Sequence, residues 1–200
     1  MKLKIENHII RSNTIKPMKT KDSTFSKTII LDPNTDNLHY KYTKSRLKKD
    51  KQSFFRKISY VPKSGKSDRG VQNEIQICNM LIKHRLPNVV DIYEVTDDYI
   101  DMELLDVESV NYEEARCSMN QAREQLESVG IMYMDWKLDN VGKNKEGIYK
   151  AFDFDVSGLI DLENPTEWLV SPLRYYSYKR ATEEGARTPI EIDNYAFTYF

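Results

Sequence analysis

The stretch from Tyr133 to Gly158, YMDWKLDNVGKNKEGIYKAFDFDVSG, constrains the fold more than any other part of the 200-residue chain. It predicts a β-hairpin, because two short runs, Val141 to Lys143 and Ile148 to Phe152, flank a polar turn that ends in Gly147. Such a hairpin brings the residue before its first strand next to the residue after its second strand. Side chains that are distant in the sequence therefore meet at its open end.

Polar residues at that open end have the chemistry of a site for a metal-bound phosphate. Asp135, Lys137 and Asn140 form the pattern D-x-K-x-x-N, and Asp153 opens the triplet Asp-Phe-Asp. An amide oxygen beside a carboxylate suits Mg²⁺ and not zinc, so Asn140 and Asp153 are predicted metal ligands. Asp135 is predicted to accept a proton from a substrate hydroxyl, and Lys137 to neutralise charge on the transferred group.

This spacing resembles the catalytic loop and metal-binding triplet of protein kinases. Tyr133-Met134-Asp135 stands where that family has His-Arg-Asp, and Asp153-Phe154-Asp155 where it has Asp-Phe-Gly. The resemblance covers roughly residues 27–200. It implies a bilobal α+β fold, with an N-lobe of residues 1–105 and a reduced, mostly helical C-lobe of residues 106–200.

The N-lobe is expected to contain a five-stranded antiparallel sheet with one helix inserted after the third strand. β-Branched and aromatic residues predict the strands Thr28 to Leu31, Leu38 to Thr43, Ser53 to Val61, Val89 to Val95 and Tyr99 to Leu105. The helix is predicted from Val71 to His84, with an apolar stripe made of Val71, Ile75, Cys78, Leu81 and Ile82.

The resemblance also implies an ATP site. Phe55-Arg56-Lys57 is similar to the family's Ala-x-Lys, so Lys57 is expected to reach the α/β-phosphates and Glu74 to pair with it. The alternatives are an exposed strand lysine and a glutamate that favours the helix dipole. The sequence Met102-Glu103-Leu104-Leu105 is similar to the hinge that holds adenine in that family.

The chain departs from the family pattern in several places. The loop Pro33 to Asn37 contains no glycine where the family has G-x-G-x-x-G, and no Ala-Pro-Glu follows the triplet. Only one helix, Asn111 to Ser128, fits between the hinge and the catalytic loop. Met134 replaces the arginine that would bind an activation-loop phosphate, so activity is expected not to depend on such phosphorylation.

One carboxylate near the end of the sequence has two interpretations. Ile190 to Phe197 is similar to the start of the large C-lobe helix, in which Asp193 would steady the backbone of the catalytic loop. The same residue could instead be a cap at the N-terminus of a helix.

The leading function is transfer of the γ-phosphoryl group of ATP, with Mg²⁺, to a Ser or Thr hydroxyl of a protein. Lys137, two residues after the aspartate, is typical of serine/threonine kinases. The alternatives are a catalytically inactive pseudokinase or binding scaffold, and a kinase for small-molecule hydroxyl acceptors. The composition, rich in Tyr, Lys, Asn and Ile, resembles that of minimal kinases from large DNA viruses.

Charge is distributed unevenly along the chain. Residues 1–70 hold 18 Lys and Arg against 6 Asp and Glu, and residues 71–200 hold 12 against 25. The densest cationic run, Lys41 to Lys51, is predicted to be a solvated hairpin tip, with nucleic-acid binding as the less favoured interpretation. Two unpaired cysteines and the lack of a long apolar run predict an intracellular, cytoplasmic protein, in a host cell or virion if viral, without membrane contact.

Overall fold

The computed structural model describes residues 18–20, 23–25, 28–31, 38–41, 45–49, 52–58, 69–97, 99–173 and 176–200. Within these ranges the chain has an α+β fold of four helices and thirteen short strands, and the strands pair antiparallel in four sheets. No helix in these ranges is long and apolar enough to cross a membrane. The glycine-free loop at residues 33–37 lies outside the described residues.

The largest sheet has six strands and not the predicted five. Its order is β1-β2-β5-β6-β8-β7, with β1 Met18–Thr20, β2 Ser23–Phe25, β5 Ser45–Lys49, β6 Gln52–Ile58, β7 Ile92–Val95 and β8 Tyr99–Glu103. The predicted strands at β3, Thr28–Leu31, and β4, Leu38–Lys41, exist but pair with each other in a separate hairpin. The prediction that these two strands exist is therefore confirmed, but the prediction that they belong to the large sheet is wrong.

The cationic run is part of this sheet. Ser45–Lys49 forms β5, which pairs with β2 on one side and β6 on the other. The prediction that the run from Lys41 to Lys51 is a hairpin tip is therefore wrong for its central residues. A run rich in basic residues can form a strand when neighbouring strands supply hydrogen-bond partners for its backbone.

Helix α1, Arg69–Leu81, buries only part of the predicted stripe: Cys78 and Leu81 face inward as expected. Its buried residues are Glu74, Ile77, Cys78 and Leu81. Ile75 is only partly buried, and Ile82, which follows the helix, is 41% exposed. The inward face of α1 therefore includes Glu74, which a pattern based on apolar residues alone places on the outward face.

Helix α2, Tyr112–Ser128, agrees with its prediction. Asn111 caps it by accepting a hydrogen bond from the Glu114 backbone N–H, and the buried face consists of Ala115, Met119, Ala122 and Leu126. The following Gly130 adopts φ +78°, a conformation that favours glycine after a helix. α2 packs against β9, Ile131–Met132, and against the second strand of the hairpin.

The predicted hairpin is present as β10, Val141–Lys143, and β11, Tyr149–Ala151. Gly147 in its turn has φ +83°. The chain then forms β12, Gly158–Ile160, and β13, Trp168–Val170, which extend β9 into a three-stranded sheet. Helices α3, Tyr176–Glu183, and α4, Pro189–Phe197, pack against each other and complete the chain.

Two apolar clusters include residues of the segment between β9 and β10. The larger joins α1, α2, β7, β8 and the hairpin through residues such as Ile77, Met102 and Phe154. The smaller joins β9, β12, α3 and α4 through Met132, Met134, Val156, Ile160, Ala181 and Ile192. The segment between β9 and β10 is held by both clusters.

Candidate active site

Lys57 lies at the centre of the predicted nucleotide half of the site. Its Nζ is 2.5 Å from Glu74 Oε2 and 2.9 Å from Asp153 Oδ1, so one ammonium group bridges strand β6, helix α1 and the segment after β11. Glu74 is 1% exposed, and burial raises its pKa while the Lys57 charge opposes that rise. Glu74 can pair with Lys57 because it lies on the inward face of α1.

Asp153 is held in an unusual backbone conformation. Its φ is +69°, a region that non-glycine residues rarely adopt, and the residue is only 8% exposed. The next residue, Phe154, is fully buried, and its backbone N–H donates to Glu74 Oε1 at 3.3 Å. Glu74 therefore positions Asp153 twice, through Lys57 and through the adjoining peptide.

The predicted acceptor half is a tight local cluster. Asp135 Oδ2 accepts hydrogen bonds from Lys137 Nζ at 2.6 Å and from Asn140 Nδ2 at 2.8 Å. Asn140 Nδ2 also donates to the Asp135 carbonyl at 3.1 Å. Within the described residues no hydrogen bond reaches Asp135 Oδ1. The structure thus brings all three predicted residues together and leaves one carboxylate oxygen of Asp135 available to a substrate.

The hairpin joins the two halves as expected. Val141 pairs with Ala151, and the Phe152 N–H donates to the Asn140 carbonyl at 3.0 Å. Asn140 therefore faces the residue just before Asp153 across the open end. Burial acts to lower the pKa of Lys137, but its hydrogen bond to Asp135 and the nearby carboxylates raise that pKa overall, so the amine is charged at neutral pH.

The predicted hinge is divided by the end of a strand. Met102 and Glu103 belong to β8, whose backbone is paired with β6 and β7, and the Met102 side chain is in the core. Leu104 and Leu105 follow the strand, and among the described residues no backbone hydrogen bond uses the N–H or C=O of either. These two residues are the ones whose backbone could bind a ligand edge.

Asp193 contacts the predicted catalytic loop and does not cap a helix. Its Oδ1 accepts hydrogen bonds from the Met134 backbone N–H at 2.7 Å and from Trp136 Nε1 at 2.9 Å. The cap of α4 is Thr188, which forms a reciprocal capping box with Glu191. The interpretation of Asp193 as a cap is therefore wrong.

Two further residues near the site are not among the predicted site residues. Asn73, next to Glu74, donates from Nδ2 to the backbone carbonyls of Asp155 at 3.1 Å and Ser157 at 2.6 Å, which fixes α1 to the segment after Asp153. Lys150, 5% exposed on β11, forms ion pairs with Glu103 at 2.8 Å and Asp91 at 3.1 Å. Lys150 thereby links the end of β8 to the hairpin.

Asp155 adds negative charge to the site. Burial, followed by the charge of Asp153, raises the pKa of Asp155 from 3.8 to about 6. At pH 7 the carboxyl group is therefore mostly ionised. A third carboxylate close to Asp153 and Asp135 makes the site more attractive to cations and less attractive to phosphates unless a cation accompanies them.

The residues present fit a magnesium ion that brings its own phosphate and water ligands. Asn140 and Asp153 offer one amide oxygen and one carboxylate, which are hard oxygen donors. No group of three or more His, Cys, Asp or Glu side chains that could hold a metal occurs in the described part of the chain. The donor set therefore fits Mg²⁺ carried by a nucleotide and does not form a complete protein cage.

No protein-family model matches the chain, and no curated protein matches its sequence.

Proposed function

We propose that this chain is a protein kinase-like phosphotransferase that moves the γ-phosphoryl group of ATP to a hydroxyl, with Ser or Thr of a protein as the leading acceptor. The proposal includes a bilobal arrangement with a boundary near residue 105. It also includes Leu104 and Leu105 as the adenine contact. The α+β architecture with antiparallel sheets is compatible with such an arrangement.

The observation that carries the proposal is the bridge made by Lys57. Its ammonium lies within ion-pair distance of Glu74 and of Asp153, which are 17 and 96 residues away in the chain. An arrangement of separated elements around one half-buried lysine is the kind that aligns nucleotide phosphates in phosphotransferases. A structural ion pair would need only one of the two carboxylates.

Each side chain has a distinct part in the proposed reaction. Lys57, held by Glu74, orients the α/β-phosphates, and Lys137 stabilises negative charge on the transferred group. Asp135 Oδ1 accepts the hydrogen of the acceptor hydroxyl, while Oδ2 stays fixed by Lys137 and Asn140. Asn140 and Asp153 would hold Mg²⁺, which would neutralise part of the phosphate charge.

Asp155 favours the pseudokinase as a second candidate. A carboxylate in the third place of the triplet increases the negative charge that a nucleotide must meet. In that case the chain binds Mg·ATP weakly or not at all and acts as a binding module. The two candidates differ in turnover and share the fold.

The deciding experiment measures transfer from γ-labelled ATP with Mg²⁺ to a mixture of Ser/Thr-containing proteins. We expect transfer by the wild type and a loss of about 100-fold or more in Asp135→Asn and Asp153→Asn. Asp139→Asn is the matched control, because this exposed aspartate lies in the same loop without a site contact among the described residues. Control activity should stay within roughly twofold of wild type.

A nucleotide thermal-shift measurement separates the remaining outcomes. Stabilisation by Mg·ATP without transfer supports the pseudokinase. The absence of both stabilisation and transfer refutes the phosphotransferase and a nucleotide-binding pseudokinase, and leaves only a binding module that does not use ATP. Equal transfer by wild type and Asp135→Asn would show that the acceptor half has been assigned to the wrong residues.

A further inference from the structure

Trp136 lies between Asp135 and Lys137 in sequence, but its side chain is buried and binds Asp193. It is 5% exposed, and its Nε1 donates to Asp193 Oδ1 at 2.9 Å. The Met134 backbone N–H donates to the same oxygen at 2.7 Å. A single carboxylate oxygen therefore receives N–H groups from the residues immediately before and after Asp135.

The backbone at this point needs such support. Met134 has φ +73°, a left-handed conformation that side chains other than glycine rarely adopt. The Met134 carbonyl accepts a hydrogen bond from the Ser177 hydroxyl at 3.4 Å. Both polar groups of the Met134 backbone are therefore bound by the α3–α4 pair, one by each helix.

The Trp136 ring is fixed by its neighbours. It meets the Tyr133 ring edge-on at a centroid distance of 4.5 Å and the Phe197 ring edge-on at 5.1 Å. Tyr133 and Phe197 belong to the loop and to α4, respectively, so the indole lies between them. Its N–H is held in the direction of Asp193 by packing as well as by the hydrogen bond.

We propose that Trp136 is a positioning residue: by sharing Asp193 Oδ1 with the Met134 N–H, it fixes the direction in which Asp135 presents its carboxylate. The restraint on the loop stands on the geometry alone. Its catalytic consequence rests on the proposed function.

The same hydrogen bonds also affect the pKa of Asp193, which gives a second way to detect the restraint. Burial raises the pKa of Asp193 to about 6, and the hydrogen bonds from Met134 and Trp136 act to lower it. From α2, Arg123 acts to lower this pKa and Glu127 to raise it. Loss of the indole N–H therefore raises the pKa, and the carboxylate is neutralised closer to neutral pH.

The test removes the N–H and keeps the ring. Trp136 is replaced by β-(3-benzothienyl)alanine, in which sulfur stands for the N–H, and the same replacement at Trp168 is the matched control. We expect amide hydrogen exchange at Met134 to accelerate about tenfold or more in the first variant and to be unchanged in the control. We also expect kcat to fall with an unchanged KM for ATP, and the acid limb of the pH profile to move to higher pH.

Asp193→Asn keeps an Oδ1 acceptor for both donors and does not titrate. It should retain slow exchange at Met134, and it gives a second measurement if the benzothienyl variant fails to fold. Exchange at Met134 that is the same in the Trp136 variant and the wild type overturns the proposal, as does fast exchange in Asp193→Asn. A wild type without transfer would refute the proposed function, and the exchange data would still decide whether Trp136 restrains the loop.

Discussion

Adding one methyl group at Gly142 tests whether the proposed hinge and the β10–β11 hairpin are in tight contact. A Cβ on Gly142 would lie 2.5 Å from Leu105 Cβ and 3.3 Å from Val107 Cγ1. Carbon atoms in contact prefer separations of about 3.5–4.0 Å, so Gly142→Ala must move Leu105 by about 1 Å. Leu105 is one of the two residues proposed to meet adenine.

The surrounding structure opposes that movement. Asp106 and Lys143 exchange two backbone hydrogen bonds of 2.8 Å, which hold the segment after Leu105 to the hairpin. The displacement therefore either strains this bridge or shifts β10, which directly follows Asn140. Overpacking of this kind costs roughly 1–3 kcal/mol, equivalent to a loss of about 2–12 °C in Tm for a chain of this size.

The assay combines thermal unfolding with a titration of Mg·ATP. We expect Gly142→Ala to lower both Tm and nucleotide affinity. Gly147→Ala is the matched control: its φ of +83° also strains an alanine, but nothing lies within 4 Å of the added Cβ. The control should lose stability by about 1–2 kcal/mol and keep nucleotide affinity.

A second substitution shows whether the cause is the contact with Leu105. Leu105→Gly removes the crowding side-chain atoms, including the Cβ at 2.5 Å, so it should lower Tm less in the Gly142→Ala background than in the wild type. Wild-type Tm and wild-type affinity in Gly142→Ala would refute the reasoning. Equal effects of Leu105→Gly in the two backgrounds would refute the assigned cause.

Three further predictions follow from single contacts. Glu74→Gln removes one of the two carboxylates that bind Lys57, so turnover or Mg·ATP affinity should fall about tenfold or more in steady-state kinetics or calorimetry. Thr188→Ala breaks the capping box with Glu191 and should lower the free energy of unfolding by about 1 kcal/mol in a urea titration. The pKa of Asp155 is raised in the folded state, so its contribution to the free energy of unfolding is fully present below about pH 4 and is lost as pH rises through about 6. Acidification from pH 7.5 to 5 should therefore raise the Tm of the wild type more than that of Asp155→Asn.

Each of these has an outcome that contradicts it. For Glu74→Gln, the contradicting outcome is that turnover and Mg·ATP affinity are both unchanged. Glu113→Gln, which alters an exposed glutamate on α2, is its control. For Thr188 it is an unchanged midpoint in urea. For Asp155 it is a Tm difference between wild type and variant that does not vary with pH.

The features that were predicted correctly depend on residues that are close together in the sequence. The buried face of α2 and the β10–β11 hairpin agree with prediction because their periodicity and turn chemistry lie within a few residues. The D-x-K-x-x-N cluster forms for the same reason. Asp135, Lys137 and Asn140 are close in sequence, and the hydrogen bonds among their side chains need no distant element.

The remaining features depend on contacts between distant parts of the chain. The inward face of α1 includes Glu74 because Lys57 and the Phe154 N–H satisfy its carboxylate, and apolar periodicity contains no such term. Asn73 and Trp136 matter through hydrogen bonds to a carbonyl and a carboxylate more than 50 residues away. Strand propensity likewise does not show which strands pair, so it could not predict that β3 pairs with β4 outside the large sheet.

The two halves of the site differ in how far apart their partners are along the chain. Asn140 reaches back five residues to Asp135, whereas Lys57 must find Asp153 across 96 residues. Closing the longer loop costs roughly 2–3 kcal/mol more chain entropy. During synthesis from the N-terminus, Lys57 and Glu74 are made long before Asp153, so the ion pair between Lys57 and Asp153 can form only after most of the chain has been made. We therefore expect the side-chain contacts among Asp135, Lys137 and Asn140 to form earlier in folding than the Lys57–Asp153 ion pair, and that ion pair to open before them when the protein is destabilised.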